Sequence, residues 1–163
     1  MSVTEGVGSI NKAEVLDFLK TSSCGVLSLV DGDKPYCVPV EHYFDGTNLF
    51  FVAGVQKGQR KLRCIKNNSN ACYSIYESRR ETPEMVKKGT RCRSLLIEGS
   101  ISIVATREVD IAGRGKVKAN ILKLKTNEIG NWKCPGQTCD WQSPWFERYP
   151  DLIKGLTKSS QLK

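Results

Sequence analysis

The sequence lacks the features that would place the protein in a membrane or outside the cell. No run of residues approaches the roughly 18 apolar residues that a membrane-spanning helix needs. The N-terminal segment MSVTEGVGSINKAE does not show the basic and then apolar pattern of a secretion signal. We therefore expect a cytoplasmic protein.

Histidine is nearly absent, and the cysteines do not form an even set. One histidine, His42, and the lack of a G-x-S-x-G turn argue against a hydrolase built on a Ser-His-Asp triad. His42 fits a hydrogen-bonded strand residue better than a proton donor, because the sequence places no carboxylate to orient its ring. The 7 cysteines have irregular spacings, and an odd number argues against a closed disulfide framework. Reduced thiols are expected.

Two cysteines, Cys134 and Cys139, flank a Gly-Pro turn near the C-terminus. A structural zinc ion needs four ligands, and no second close pair of ligands exists, so no metal site is predicted. Two ordinary thiols, a redox or disulfide pair, and a cap near a bound ligand all stay open for this turn.

Positive charge is what the chain has in excess. Its 25 lysines and arginines outnumber 17 acidic residues, which gives a net charge of +8. Such a charge suits nucleic acid, an anionic surface or a phosphorylated small molecule as a partner. A solvated basic face without a partner is equally compatible with it.

The hydrophobic pattern predicts a small barrel preceded by a helix. Asn11 and Glu14 have the spacing of a capping box, which predicts a helix that ends near residues 21–23. Alternating or apolar segments bounded by turn residues then predict six strands, at residues 25–30, 35–44, 49–53, 71–76, 94–104 and 121–129. Pro39 lies within the second of these, which indicates an edge strand or a bulge.

These elements predict a single domain over residues 1–163 that is mainly β (α+β). It consists of a six-stranded antiparallel barrel, a short N-terminal helix and small accessory helices, one of them from residue 60 to about residue 66. Residues 131–163 hold all 3 tryptophans and are predicted to form an irregular C-terminal arm.

A basic loop between a strand and the second helix is the clearest candidate site. Gly54 and Gly58 allow a close approach of the backbone, and three cations cluster within five positions, namely Lys57, Arg60 and Lys61. The free N–H groups at the start of a helix add donors and the positive end of the helix dipole. A phosphate monoester, which carries about two negative charges, fits this arrangement. The spacing is not that of a Walker loop.

The order of these segments resembles the FMN-binding split barrels of pyridoxamine 5′-phosphate oxidase-like proteins, in particular the 5-nitroimidazole-reductase-like branch. The resemblance covers residues 11–130. Its marks are the segments at residues 25–27, 35–40, 45–51, 58–61, 93–95 and 124–130. Many members of that branch have a histidine at the position of Val52, and this departure weakens any transfer of substrate or activity.

The resemblance implies a homodimer with FMN at the subunit interface, and an oxidoreductase of the flavin-reductase or nitroreductase type. The flavin ring would lie along the backbone of two strand segments, and the basic loop would hold the phosphate. Ser94 and Trp132 would approach from the other subunit. The implied cofactor-binding residues are thus Val38, Pro39, Val40, Phe51, Val52, Ala53, Lys57, Gly58, Gln59, Arg60, Lys61, Ser94 and Trp132.

Two other functions remain open from the sequence. The three tryptophans and the basic charge suit a nucleic-acid-binding β-barrel, although these aromatics cluster in the tail and do not alternate with lysines along the strands. A non-catalytic flavin-binding or electron-transfer protein would have the same residues as a reductase, because the flavin carries the chemistry.

Overall fold

The computed structural model describes residues 2–3, 10–56, 58–77, 92–113, 115–133 and 151. The chain divides into two compact units, one of Met1–Glu77 with Arg93–Cys134 and one of Ser78–Cys92 with Pro135–Lys163. All helices and strands given below belong to the first unit. No helix among the described residues is long and apolar enough to cross a membrane.

The described residues of the first unit form eight strands and two helices. In chain order they are β1 (Ser2–Val3), α1 (Lys12–Thr21), β2 (Cys24–Asp31), β3 (Lys34–Glu41), β4 (Tyr43–Phe44), β5 (Leu49–Gly54), α2 (Arg60–Asn67), β6 (Asn70–Glu77), β7 (Arg93–Ile111) and β8 (Gly115–Lys133).

The strands form a single sheet with the order β3-β2-β6-β7-β8-β5-β4. All neighbours along this path are antiparallel, whereas β1 lies off the path and pairs with β8 in parallel. The six longer strands are those that the sequence predicts. The predicted number of six is nevertheless too low, because the path has seven strands. The predicted second strand is interrupted at His42, and its last two residues form β4 on the other end of the sheet.

β3 and β5 lie close to each other although they are not paired in the sheet. This approach of distant strands gives the split barrel that the sequence predicts. Among the described strands β3 pairs only with β2, which confirms the edge position that Pro39 indicates.

β7 and β8 form a long hairpin whose length the sequence does not reveal. Both strands are 19 residues long, and β8 continues to Lys133, three residues into the segment predicted as irregular. The hairpin has bulges between Glu98 and Gly99 and between Ile103 and Ala105. Because a bulge shifts the alternation of side chains between the two faces, the apolar pattern breaks there and hides the outer half of each strand.

α1 begins with the predicted capping box. The Asn11 side chain accepts a hydrogen bond from the Glu14 N–H at 3.0 Å, and the Glu14 carboxylate accepts one from the Asn11 N–H at 3.3 Å. The helix buries Val15, Phe18 and Leu19. These three side chains therefore fix α1 to the core of the barrel.

The core contains two aromatic rings in edge-to-face contact. Phe51 and Tyr73 lie with their ring centres 5.0 Å apart, and both side chains are buried. Gly25 faces Tyr73 so closely that a Cβ there would lie 2.7 Å from the phenol ring. The position of Tyr73 matters below, because its hydroxyl group reaches His42.

Candidate ligand-binding cleft

A cleft opens where β3 approaches β4 and β5. Its volume is about 770 Å³, which is within the usual range for sites that bind small molecules. Apolar and aromatic side chains form most of its wall, namely Pro39, Val40, Tyr43, Phe50, Phe51, Val52 and Ile121. Its polar groups belong to Glu41, His42, Asp45 and Lys61.

Lys61 supplies a positive charge without a partner. Its side chain reaches the cleft from the first turn of α2 and is half-buried. Burial lowers the pKa of Lys61, and no hydrogen bond or ion pair joins its ammonium group to any residue in the described part of the chain. A half-buried cation of this kind is costly unless an anion accompanies it. The cleft therefore offers an anionic group one half-buried cation, beside the carboxylates of Glu41 and Asp45.

The neighbouring arginines of α2 have a carboxylate partner instead. Nε of Arg60 lies 2.7 Å from the Asp31 carboxylate, and a terminal nitrogen of Arg63 lies 2.9 Å from it. The two guanidinium groups hold the pKa of Asp31 below its usual value. Arg60 also lies over the ring of Tyr36, 4.6 Å from its centre. Arg60 is thus directed toward Asp31 and is not among the residues that line the cleft.

The turn before α2 has the backbone conformation that its glycine suggests. Gly58 has a φ of 83°, a left-handed conformation that favours glycine. Gln59 is the N-cap of α2, but its side chain makes no capping hydrogen bond. It lies against Gly54, where a Cβ would be 2.9 Å from its amide nitrogen. Lys57 lies outside the described residues.

His42 joins three parts of the molecule. Its Nδ1 lies 2.8 Å from the Tyr73 hydroxyl oxygen, and its Nε2 lies 3.1 Å from the Leu19 carbonyl oxygen of α1. The Tyr73 hydroxyl group also lies 3.3 Å from the Val40 carbonyl oxygen. Burial lowers the pKa of His42 and raises the pKa of Tyr73. Both side chains are therefore neutral near pH 7.

Ser94 and Trp132 are brought together, but away from this cleft. They are direct partners across β7 and β8, and neither lines the cleft of its own chain. Trp132 is exposed. Their predicted approach to a cofactor from a second subunit stays a prediction.

The cleft thus contains part of the predicted set. Pro39, Val40, Phe51, Val52 and Lys61 line it, whereas the described residues Val38, Ala53, Gly58, Gln59 and Arg60 do not. Val38 packs against the core, and Ala53 is buried.

Several lining residues were missed by reasoning from the sequence, namely Glu41, His42, Tyr43, Asp45, Phe50 and Ile121. The sequence does indicate the position of Asp45, because it predicts a turn here. In that turn the Asp45 carboxylate accepts hydrogen bonds from the N–H groups of Thr47 and Asn48. Nothing in the sequence indicates that Ile121 lines the cleft, since its position opposite Val52 depends on the pairing of β5 with β8.

The described residues contain no group of three or more histidine, cysteine or acidic side chains that could hold a metal ion. Among the described cysteines, Cys24, Cys37, Cys64 and Cys72 are free thiols. Cys134 and Cys139 lie outside the described residues.

The model of the family described as pyridoxamine 5′-phosphate oxidase matches residues 11–129. The chain belongs to this family. No curated protein is similar enough in sequence to count as a relative. The family match covers the cleft and all but the last four residues of the hairpin of β7 and β8.

Solved structures of other proteins have the same fold. A FAD-binding protein of Mesorhizobium loti is 12% identical, with 77% of this chain and 96% of that chain covered and a TM-score of 0.57. A FAD- and heme-binding protein of Mycobacterium smegmatis is 17% identical, with 90% and 79% covered and a TM-score of 0.58. A candidate 5-nitroimidazole antibiotic resistance protein of Bacteroides thetaiotaomicron is 14% identical, with 76% and 83% covered and a TM-score of 0.55.

Proposed function

We propose that the cleft binds FMN and that the protein is an FMN-dependent oxidoreductase acting on a small molecule. The observation that carries this proposal is the ammonium group of Lys61, which lies half-buried at a cleft with mainly apolar walls and has no hydrogen-bond or ion-pair partner among the described residues. A flavin mononucleotide combines the two matching properties, since it has a large planar ring and one phosphate group. Membership of the family supports a flavin as the ligand.

The walls of the cleft suit the ring. Pro39 and Val40 belong to β3, which is an edge strand of the described sheet, and Phe51 and Val52 belong to β5. A bound flavin supplies hydride or electron transfer, while the protein supplies position and electrostatics. Backbone N–H groups near the ring would stabilise its reduced, anionic form.

The charges near the cleft favour one phosphate group over a diphosphate. Of the three described cations in the first turn of α2, only Lys61 lines the cleft, because Asp31 binds Arg60 and Arg63. A phosphate monoester needs fewer cations than the longer chain of FAD. We therefore propose FMN, although solved structures with this fold include proteins named as FAD-binding.

We also propose that the protein is a homodimer. Val26, Tyr76, Leu96 and Trp132 are 39% to 57% exposed, and they lie on adjacent strands of the sheet. Cross-strand partners share a face, and so do residues two apart in a strand. Ser74 pairs with both Val26 and Leu96, and Ser94 pairs with both Tyr76 and Trp132. Because Ser94 and Leu96 are two residues apart in β7, the four exposed side chains share one face of the sheet. We call it the dimer face.

A second copy is the occupant that best explains this exposed apolar face. It would bring Ser94 and Trp132 near a cofactor that the partner binds.

The free thiols of Cys24 and Cys37, both exposed, support a reducing compartment, which we propose to be the cytoplasm.

The cofactor and the reaction class can be tested on the purified protein. We expect a yellow protein that releases FMN, and not FAD, on denaturation, with one flavin per chain measured by chromatography. Under anaerobic conditions NADH or NADPH should bleach the flavin, and a nitroaromatic compound or free flavin should restore its colour. A colourless protein that binds neither FMN nor FAD would refute the proposal. If neither NADH nor NADPH reduces the bound flavin, the protein binds a flavin but lacks the proposed oxidoreductase activity.

A further inference from the structure

The hydrogen bonds of His42 define which ring nitrogen carries a hydrogen. Nε2 lies 3.1 Å from the Leu19 carbonyl oxygen, and a carbonyl group can only accept. Nε2 is therefore the donor, and the neutral ring accepts the hydroxyl hydrogen of Tyr73 at Nδ1, across 2.8 Å. His42 thus has no free nitrogen on its ring.

The Leu19 carbonyl group adds an electrostatic feature. It belongs to the last turn of α1, which ends at Thr21, and the last four carbonyl groups of a helix have no partner within the helix. His42 satisfies one of them. The negative end of the helix dipole favours a positive charge at this place. Burial acts in the opposite direction and keeps the pKa of His42 below its usual value.

Tyr73 has one hydroxyl hydrogen and two acceptors within reach. One acceptor is Nδ1 of His42, and the other is the Val40 carbonyl oxygen at 3.3 Å. While His42 is neutral, the hydrogen lies on the side of Nδ1. Once His42 is protonated, Nδ1 becomes a donor to the Tyr73 oxygen, and the hydroxyl hydrogen turns to Val40. The network can therefore take up one proton and keep every hydrogen bond that His42 makes.

Three charged groups share the cleft with His42, namely Glu41, Asp45 and Lys61. On its other side, the His42 ring forms hydrogen bonds with the Leu19 carbonyl group of α1 and with the neutral Tyr73 hydroxyl group of β6. An anion in the cleft would add negative charge to a cavity that both Lys61 and His42 line. A nearby negative charge stabilises the protonated form of a histidine.

We propose that His42 takes up a proton when a phosphate monoester occupies the cleft, and that Tyr73 passes this change to the carbonyl group of Val40, a residue that lines the cleft. The inference rests on the proposed function, under which the ligand is FMN. His42 is then a positioning residue that acts on the site through Tyr73. Because coupling is reciprocal, protonation of His42 also tightens binding of the ligand.

A proton NMR titration tests the proposal directly, because His42 is the only histidine in the chain. Its ring C–H signals need no assignment by mutation. In the free protein we expect a midpoint below the usual pKa of about 6.5. Saturation with FMN should raise this midpoint by about one unit. The carbonyl ¹³C signal of Val40 should titrate with the same midpoint.

The matched control is His42→Gln, whose side chain can still donate to the Leu19 carbonyl group but cannot titrate. In the wild type, FMN should bind about tenfold more tightly at a pH below the His42 midpoints of the free and the FMN-bound protein than at a pH above both. This factor is what remains after the pH dependence of FMN affinity in His42→Gln is subtracted. The phosphate group itself titrates near pH 6, and this contribution is common to both proteins. The variant should also lose the titration of the Val40 signal.

Two results would overturn the proposal while leaving FMN binding intact. One is an unchanged His42 midpoint at saturating FMN, and the other is an equal pH dependence of FMN affinity in wild type and His42→Gln. If FMN does not bind at all, the proposed function fails. Inorganic phosphate then serves as the probe, and a His42 midpoint that phosphate does not raise overturns the inference as well.

Discussion

Asp31 decides which cations of α2 are available to a ligand. Its carboxylate binds both Arg60 and Arg63, so that Lys61 remains as the described cation that faces the cleft. The sequence predicts a phosphate-binding loop here and treats Arg60 and Lys61 as equivalent. It cannot separate them, because Asp31 belongs to β2 and is distant in sequence. The role of a cation thus depends on which side of a short helix it occupies.

At the same scale, the stability of the protein should depend on pH through His42. Burial lowers the pKa of His42 in the folded protein. Below pH 6.5 the unfolded chain therefore binds more protons at this residue than the folded protein does, and stability falls as the pH decreases. Between about pH 8 and pH 5.5, urea unfolding should show a larger loss of stability for wild type than for His42→Gln. Equal losses would contradict the lowered pKa.

The elements follow from the sequence to different degrees. The capping box of α1 and the six longer strands are predicted, because each depends on residues that are close in the chain. The second half of the hairpin of β7 and β8 is missed, because two bulges shift the apolar alternation. The cleft is predicted only in part for a similar reason. Its wall joins β3 with β5 and β8, and only the folded sheet shows that Ile121 lies opposite Val52.

The first bulge gives a prediction about two glycines of this hairpin. A Cβ on Gly99 would overlap the carbonyl oxygen of Lys125 on β8, whereas a Cβ on Gly130 would have its nearest neighbours at 3.8 Å. Gly99→Ala should destabilise the protein by about 2 to 3 kcal/mol, because backbone must move. Gly130→Ala should change stability by less than about 1 kcal/mol. Chemical unfolding measures both, and similar values for the two variants would contradict the close approach at Gly99.

At the scale of the whole molecule, the barrel presents two unlike surfaces. The cleft combines mainly apolar walls with the charged groups of Glu41, Asp45 and Lys61, while the dimer face presents exposed apolar side chains. Of the described cations in the first turn of α2, the two arginines form ion pairs with Asp31. The local arrangement of charges therefore matters more for the proposed site than the net charge of the chain.

The dimer face gives the prediction at this scale. Light scattering should show a particle of about twice the chain mass of 18.2 kDa. Leu96→Glu places a charge on the dimer face and should shift the protein toward monomers, because burying an unpaired carboxylate is costly. Val104→Glu is the control, since Val104 is also exposed but lies further along β7 at the second bulge. A monomeric wild type would contradict the proposal, as would equal masses for wild type and Leu96→Glu.

The claim that Lys61 holds the phosphate group of a flavin is tested most directly by a thermodynamic cycle. The affinities of FMN and of riboflavin, which has the same ring but no phosphate group, are measured by fluorescence titration for wild type, Lys61→Gln and Arg63→Gln. We expect the wild type to prefer FMN by about tenfold or more, since a hydrogen bond to a charged group contributes about 1.5 to 3 kcal/mol. Lys61→Gln should lose most of this preference, and Arg63→Gln should keep it. If Lys61→Gln keeps the wild-type preference for FMN over riboflavin, the phosphate group binds elsewhere and the account of the cleft is wrong.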